Sequence, residues 1–231
     1  MSRGRPERRD ASENGDTVEA RVDVRLSHVH SPPCHCHARA TLSGARNARR
    51  TIGRQPEARL RIVGGKFAGR DLTSPADFRV RPTAEHVRAA VLDLVAADLR
   101  DARILDLFAG TGALGLEALS RGARSADFVE FRPASLHALR ANVAALRVRD
   151  RTRIFKRDAV PFAAALSADS YDITFVDPPY ESRQLDLVLA SWKASAFSRI
   201  LVAEHAHTHA LPPGENRRTF EDTVITIYRH S

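Results

Sequence analysis

The segment Ile104-Leu105-Asp106-Leu107-Phe108-Ala109-Gly110-Thr111-Gly112-Ala113-Leu114-Gly115 constrains the fold more than any other part of the chain. It is an apolar run broken only by Asp106, then a glycine turn, then a helix-forming stretch to Arg121. A strand apolar on both faces needs helices above and below it, so the flanking chain must supply parallel neighbours and crossover helices. It does so. Strand-like runs occur at Leu60 to Val63, Arg103 to Phe108, Ala126 to Phe131, Arg153 to Lys156, Asp172 to Asp177, Ile200 to Glu204 and Thr223 to Arg229. Between them the spacing predicts helices from an N-cap at Thr83 to about Leu99, and over Gly112 to Arg121, Pro133 to Leu146, Val160 to Leu166 and Ser182 to Lys193. The expectation is an α/β domain, an open and mostly parallel sheet with helices on both faces.

This pattern starts only near Arg59. Residues 1–57 contain no Phe, Tyr or Trp and carry eleven Arg against seven acidic residues. A segment that buries so little cannot offset its ordering entropy, so it reads as a disordered basic extension, either genuine or a start placed too far upstream. The domain is expected over residues 58–231. The chain's net charge is +8, and 33 of its 36 basic residues are arginine, which suits a polyanionic partner without specifying any chemistry. Two cysteines, Cys34 and Cys36, rule out a disulfide framework and fit a reducing, cytoplasmic setting. Cys34-His35-Cys36-His37, with His28 and His30 close by, has metal-compatible side chains, but contiguous ligands do not wrap a single tetrahedral ion. His205, His207 and His209 alternate along a strand exit and are discounted likewise, so no metal is expected. No apolar run reaches about eighteen residues, which excludes a membrane-spanning helix.

The glycine segment reads G-x-G-x-x-G from Gly110 to Gly115, and Glu130 lies twenty residues beyond Gly110, which brings a dinucleotide site into consideration. Asp106 argues against it. A carboxylate just ahead of the turn repels a pyrophosphate but suits the ammonium of an amino-acid moiety. Glu130 can accept hydrogen bonds from ribose hydroxyls in either case, so it points to a nucleoside without identifying it. The second signal is Asp177-Pro178-Pro179-Tyr180 after the apolar run Ile173 to Val176. Two prolines fix the turn, holding the Asp177 carboxylate and the Pro178 carbonyl as preset acceptors while Tyr180 can stack on a planar base. Paired acceptors beside an aromatic ring match an exocyclic amino group, which offers two N–H donors.

In order and spacing, Asp106 to Gly115, Glu130, Asp158 and Asp177 to Tyr180 resemble the class I S-adenosylmethionine-dependent amino-methyltransferases. Gly64-Gly65-Lys66-Phe67-Ala68-Gly69-Arg70 and Arg81-Pro82-Thr83 narrow the resemblance to the bacterial 16S ribosomal RNA guanine-N2 methyltransferases. It extends over about Arg59 to Arg229. The resemblance implies a Rossmann-like, seven-stranded class I sheet preceded by a short N-terminal β-hairpin over 58–82. It implies S-adenosyl-L-methionine as cofactor, and as partner 16S rRNA in the small ribosomal subunit or its assembly intermediate, with the protein acting as a monomer. Asp106, Phe108, Ala109, Gly110, Thr111 and Gly112 would then cradle the methionine part. Glu130 would hold the ribose, Asp158 and Ala159 would lie by the adenine amino group, and Arg81, Pro82 and Thr83 would lie beside the cofactor. Asp177, Pro178, Pro179 and Tyr180 match the catalytic motif, and Lys66, Arg70, Arg79 and Tyr180 are the expected RNA contacts. Arg132 departs from the family pattern, which often has an acid there.

Methyl transfer to the N2 of guanine needs alignment and acceptors for the amino protons rather than a nucleophilic side chain. Transfer to C5 of a pyrimidine would need a cysteine near the site, and both cysteines lie in the extension. A DNA adenine-N6 or cytosine-N4 methyltransferase is the nearest alternative, although the chain leaves little room for a target-recognition domain. Protein glutamine methyltransferases generally begin the motif with Asn, against Asp177 here. An NAD-dependent oxidoreductase is disfavoured by Asp106 and by Asp177 to Tyr180, and a noncatalytic RNA-binding protein would retain cofactor binding without transfer.

Overall fold

Five apolar runs become adjacent parallel strands: β1 (Arg103–Leu107), β2 (Ser125–Val129), β3 (Thr152–Phe155), β4 (Tyr171–Val176) and β5 (Ser198–Ala206). Two further strands, β6 (Asn216–Phe220) and β7 (Thr223–Arg229), complete a seven-stranded sheet in the order β3-β2-β1-β4-β5-β7-β6, with β7 antiparallel to both its neighbours. This is a computed structural model that describes residues 60–75, 84–180 and 182–230, all within the unit Gly53–Ser231. The expected extension over residues 1–57 with its Cys and His run, and the expected contacts Arg79, Arg81, Pro82 and Thr83, lie outside the described residues.

Helices cover both faces. On one, α1 (Glu85–Leu94), α2 (Ala113–Ser120) and α3 (Pro133–Ala145) pack Val87, Val91, Leu116, Leu119, Leu139 and Val143 against Ile104, Phe128, Phe175, Val202 and Ile225 of the strands. On the other, α4 (Ala159–Ala164) and α5 (Gln184–Ser195) bury Ala163, Val188, Leu189 and Trp192 against Leu105, Leu107, Val176 and Leu201. Alternation along the strands therefore divides their buried apolar side chains between two cores. Local chemistry sets the helix starts: Pro133 occupies the first turn of α3, and the Asp158 carboxylate accepts from Val160 N–H to cap α4.

Leu60 to Val63 forms one arm of the hairpin ahead of the sheet, with a single antiparallel bridge between Arg61 and Asp71 and a tight 3-10 turn at Gly65–Phe67. Three expectations need adjustment. The seventh strand, which no strand-like run supplies, is β6, whose residues are exposed apart from half-buried Phe220; an edge strand with neither face covered shows no apolar alternation. The first helix stops at Leu94 rather than Leu99, continuing as a 3-10 turn at Ala96–Asp98 after Val95 leaves helical geometry. Ala84, not Thr83, is the residue that precedes its first turn. Among the described residues no helix is long and apolar enough to cross a membrane.

Candidate active site

The sheet order reverses direction between β1 and β4, the place where open α/β sheets leave a crevice beyond their carboxyl ends. A cavity of about 230 Å³ lies there, lined by residues that include Asp106, Phe108 to Thr111, Asp177 to Tyr180, Glu204 and Thr223. The turn after β1 is conformationally demanding: Phe108, Gly110 and Gly112 all have positive φ (61°, 55° and 77°). At Gly112 a Cβ would also collide with Leu139 Cδ1 and lie 3.2 Å from Phe128 Cε1, so a side chain there must shift its neighbours as well as adopt the positive φ.

Asp106 is 2% exposed, and its Oδ2 accepts from Gly115 N–H at 3.0 Å in the first turn of α2. Burial holds its carboxyl well above the usual aspartate range. The Gly115 bond opposes that shift, and the charges of Asp177 and Glu130 add to it. A buried carboxylate on a cavity wall that resists ionisation is matched by a cationic ligand, which would restore its charge.

Glu130, just beyond β2, is 2% exposed and does not line the cavity. Its Oε2 accepts from Gly110 N–H at 2.9 Å, and its Oε1 accepts from Phe131 and Arg132 N–H at 2.8 Å each. It thus fastens the glycine turn to the end of β2 from behind. Arg132, whose Nε lies 3.4 Å from the same carboxylate, does line the cavity. Asp158 caps α4 and borders a separate hollow with Arg157 and Phe162, while Ala159 is buried in the second core.

Beyond β4, Asp177 to Tyr180 form one cavity edge. Tyr180 is 46% exposed, and its hydroxyl donates to Thr223 Oγ1 at 3.0 Å. Thr223 Oγ1 in turn lies 3.4 Å from Glu204 Oε1 and 3.2 Å from the His205 carbonyl, both acceptors on β5. Sequence reasoning missed Glu204 and Thr223. An acid closing the apolar run Ile200 to Ala203 was the available signal. Phe131, 52% exposed directly after Glu130, was also missed.

Register orders the acids. Asp106 pairs with Phe175 on β4, and Val176 pairs with Ala203 on β5. Asp106, Asp177 and Glu204 therefore step across three neighbouring strands on the face that carries Ile104, Phe175 and Val202.

The hairpin reaches this site indirectly. Glu117 on α2 is fully buried and accepts from Val63 N–H (2.8 Å), Gly64 N–H (2.6 Å) and Arg121 Nε (3.2 Å). Its ion-pair partner on α1 is Arg88, Nε to Oε2 3.7 Å, which also donates to the Arg61 carbonyl and lines the cavity. Burial lowers the Arg88 pKa, and Glu117 opposes the shift. Lys66 and Arg70 are exposed on the hairpin and do not line the cavity; Arg70 Nη2 donates to the Ala145 carbonyl at 3.0 Å. Among the described residues no cluster of His, Cys, Asp or Glu could hold a metal ion.

Residues 60–219 match the family model described as "Conserved hypothetical protein 95". This chain belongs to that family. Its curated relatives include "Putative rRNA methyltransferase YlbH" of Bacillus subtilis (strain 168), 30% identical over 74% of this chain and 98% of that protein. "Ribosomal RNA small subunit methyltransferase D" of Escherichia coli (strain K12) is 39% identical over 55% of this chain and 63% of its own length. Among solved structures, "Putative methyltransferase yhhF from Escherichia coli" superposes with a TM-score of 0.65 at 30% identity, covering 74% of this chain and 97% of that one. The sheet of this Conserved hypothetical protein 95 member is the class I methyltransferase fold.

Proposed function

We propose that this chain transfers a methyl group from S-adenosylmethionine to the exocyclic N2 of a guanine in small-subunit ribosomal RNA. The observation that carries the reading is the proline-fixed edge Asp177-Pro178, which shares one cavity with Asp106 and the glycine turn. Relatives named as rRNA methyltransferases support the RNA class of substrate.

The residues fit the cofactor. Asp106, with the Phe108 to Gly112 turn, would hold the amino-acid end. Glu130, whose carboxylate bonds the Gly110, Phe131 and Arg132 N–H groups just behind the cavity wall, is the proposed acceptor for the ribose hydroxyls. The exposed ring of Phe131 offers a flat face to adenine, and Asp158, on the neighbouring hollow, with Ala159 after it, is the proposed partner of the adenine amino group. When bound, S-adenosylmethionine supplies a sulfonium methyl that is already electrophilic, so the protein's contribution is alignment.

The chain's own groups act on the base. The Asp177 carboxylate and the Pro178 carbonyl accept the two N2–H bonds, which draws the nitrogen lone pair out of conjugation with the ring and stabilises the positive charge that grows as the new N–C bond forms. Asp177 then takes the proton that leaves. Tyr180, steadied by Thr223, stacks on a base taken out of its helix. The exposed hairpin, with Lys66 and Arg70, provides charge for the phosphate backbone.

The test is incubation of the full chain with labelled S-adenosylmethionine and small subunits from a strain lacking the modification, followed by digestion to nucleosides. N2-methylguanosine is expected. N6-methyladenosine would overturn the base assignment, and label in duplex DNA offered in a parallel reaction, with none in the subunits, would favour the DNA amino-methyltransferase reading.

A further inference from the structure

We propose that Glu204 recognises the N1–H of the target guanine and thereby decides which base is methylated. The inference rests on the guanine-N2 reading above and assigns a specificity role to a residue outside the Asp177 to Tyr180 motif.

The placement follows from strand register. Val176 opposite Ala203 makes Asp177 and Glu204 lateral neighbours, on strands spaced about 4.8 Å apart. Both follow a residue buried in the second core, so both project to the opposite face, and both line the cavity. Glu204 is 7% exposed, closes the apolar run of β5 and borders the same cavity as Asp177. Thr223 Oγ1 accepts from the Tyr180 hydroxyl and lies 3.4 Å from Glu204 Oε1, so the stacking ring and the acid border the same hydroxyl.

The chemistry of the bases then discriminates. An ionised carboxylate only accepts hydrogen bonds. Guanine carries a ring N–H directly beside its exocyclic amine. Adenine and cytosine instead present a ring nitrogen lone pair at that position. With the amine held at Asp177 and Pro178, a neighbouring acid meets a donor from guanine and a lone pair from either rival. Leaving such a buried pair unmatched is the strongest form of rejection a binding site has.

The experiment uses small subunits reconstituted on rRNA with either guanine or 2-aminopurine at the methylated position. 2-Aminopurine keeps the amine but lacks N1–H. Wild-type protein is expected to favour guanine in kcat/KM by roughly 10- to 100-fold. In Glu204→Gln, and in Glu204→Ala run in parallel, the ratio is expected to shrink to within about threefold, mainly through loss on guanine. The ratio is internal to each variant, so a general loss of folded protein leaves it unchanged. Compression of the ratio in either variant supports the assignment. A wild-type ratio near one, or an unchanged ratio in both variants, overturns it. Failure of wild type to form N2-methylguanosine on guanine subunits would instead remove the reading beneath, which separates the two failures.

Discussion

Arg88 and Glu117 face each other between α1 and α2 with neither side chain exposed, their nearest charged atoms 3.7 Å apart. The carboxylate also anchors the turn of the N-terminal hairpin through Val63 and Gly64, while the guanidinium forms part of the cavity wall. Removing Glu117 takes from a fully buried guanidinium its ion-pair partner on α2. Glu117→Ala is therefore expected to cost about 3–5 kcal/mol, measured as a lowered midpoint in urea unfolding. A change under about 1 kcal/mol would mean that the pair contributes little to holding these elements together.

Asp177→Ala is expected to lower single-turnover methyl transfer by about 100- to 1,000-fold, the usual effect of losing one preorganised group at a developing charge. Affinity for S-adenosylmethionine, followed by calorimetry, should stay within about threefold of wild type. Equal losses in both measurements would assign the residue to the fold rather than to the reaction.

Asp106 makes stability and ligand binding depend on pH in opposite senses. Its folded pKa lies above the unfolded one because burial disfavours the charge. The folded state therefore binds more protons between the ordinary aspartate value of about 3.9 and the raised value. Stability falls as pH rises through that window, and the deficit persists above it. A cationic ligand favours the ionised form, so affinity for S-adenosylmethionine should rise with pH across the same window, by at most about tenfold per unit, with release of a proton. Calorimetry in buffers of different ionisation enthalpy measures that proton. Asp106→Asn is expected to abolish both slopes.

Gly112 and Gly69 both have left-handed φ, 77° and 79°, but only Gly112 is crowded. Gly69→Ala meets no atom within 4 Å and should cost only the backbone strain, about 1–2 kcal/mol. Gly112→Ala must also displace Leu139 and Phe128, so its loss in denaturant midpoint should exceed that of Gly69→Ala by about 1–3 kcal/mol. Equal losses would mean that the turn yields freely.

Much of this was readable in the chain because buried parallel strands write themselves as apolar runs, and because the turn after β1 needs its glycines. Six of the sheet's strands and all five helices follow from that periodicity. β6 was illegible, since Asn216 to Thr219 bury nothing and so carry no pattern. Within the site, Asp106 and Asp177 to Tyr180 stood out because acids and prolines are conspicuous beside apolar runs. Glu204 and Thr223 did not, because they matter through register: only the pairing of β4 with β5, and of β5 with β7, brings them beside Asp177 and Tyr180. The Glu117 node was equally hidden, since a carboxylate one turn into a helix looks like surface until the hairpin folds over it.

The outermost strand has a further effect on how these molecules coexist. β6 ends the sheet with Arg217 and Arg218 side by side and exposed. An uncovered strand margin is an invitation to a second molecule to extend the ladder, and adjacent like charges make that approach repulsive. Replacing both arginines with threonine would leave the catalytic chemistry untouched and would lower the concentration at which the protein begins to self-associate.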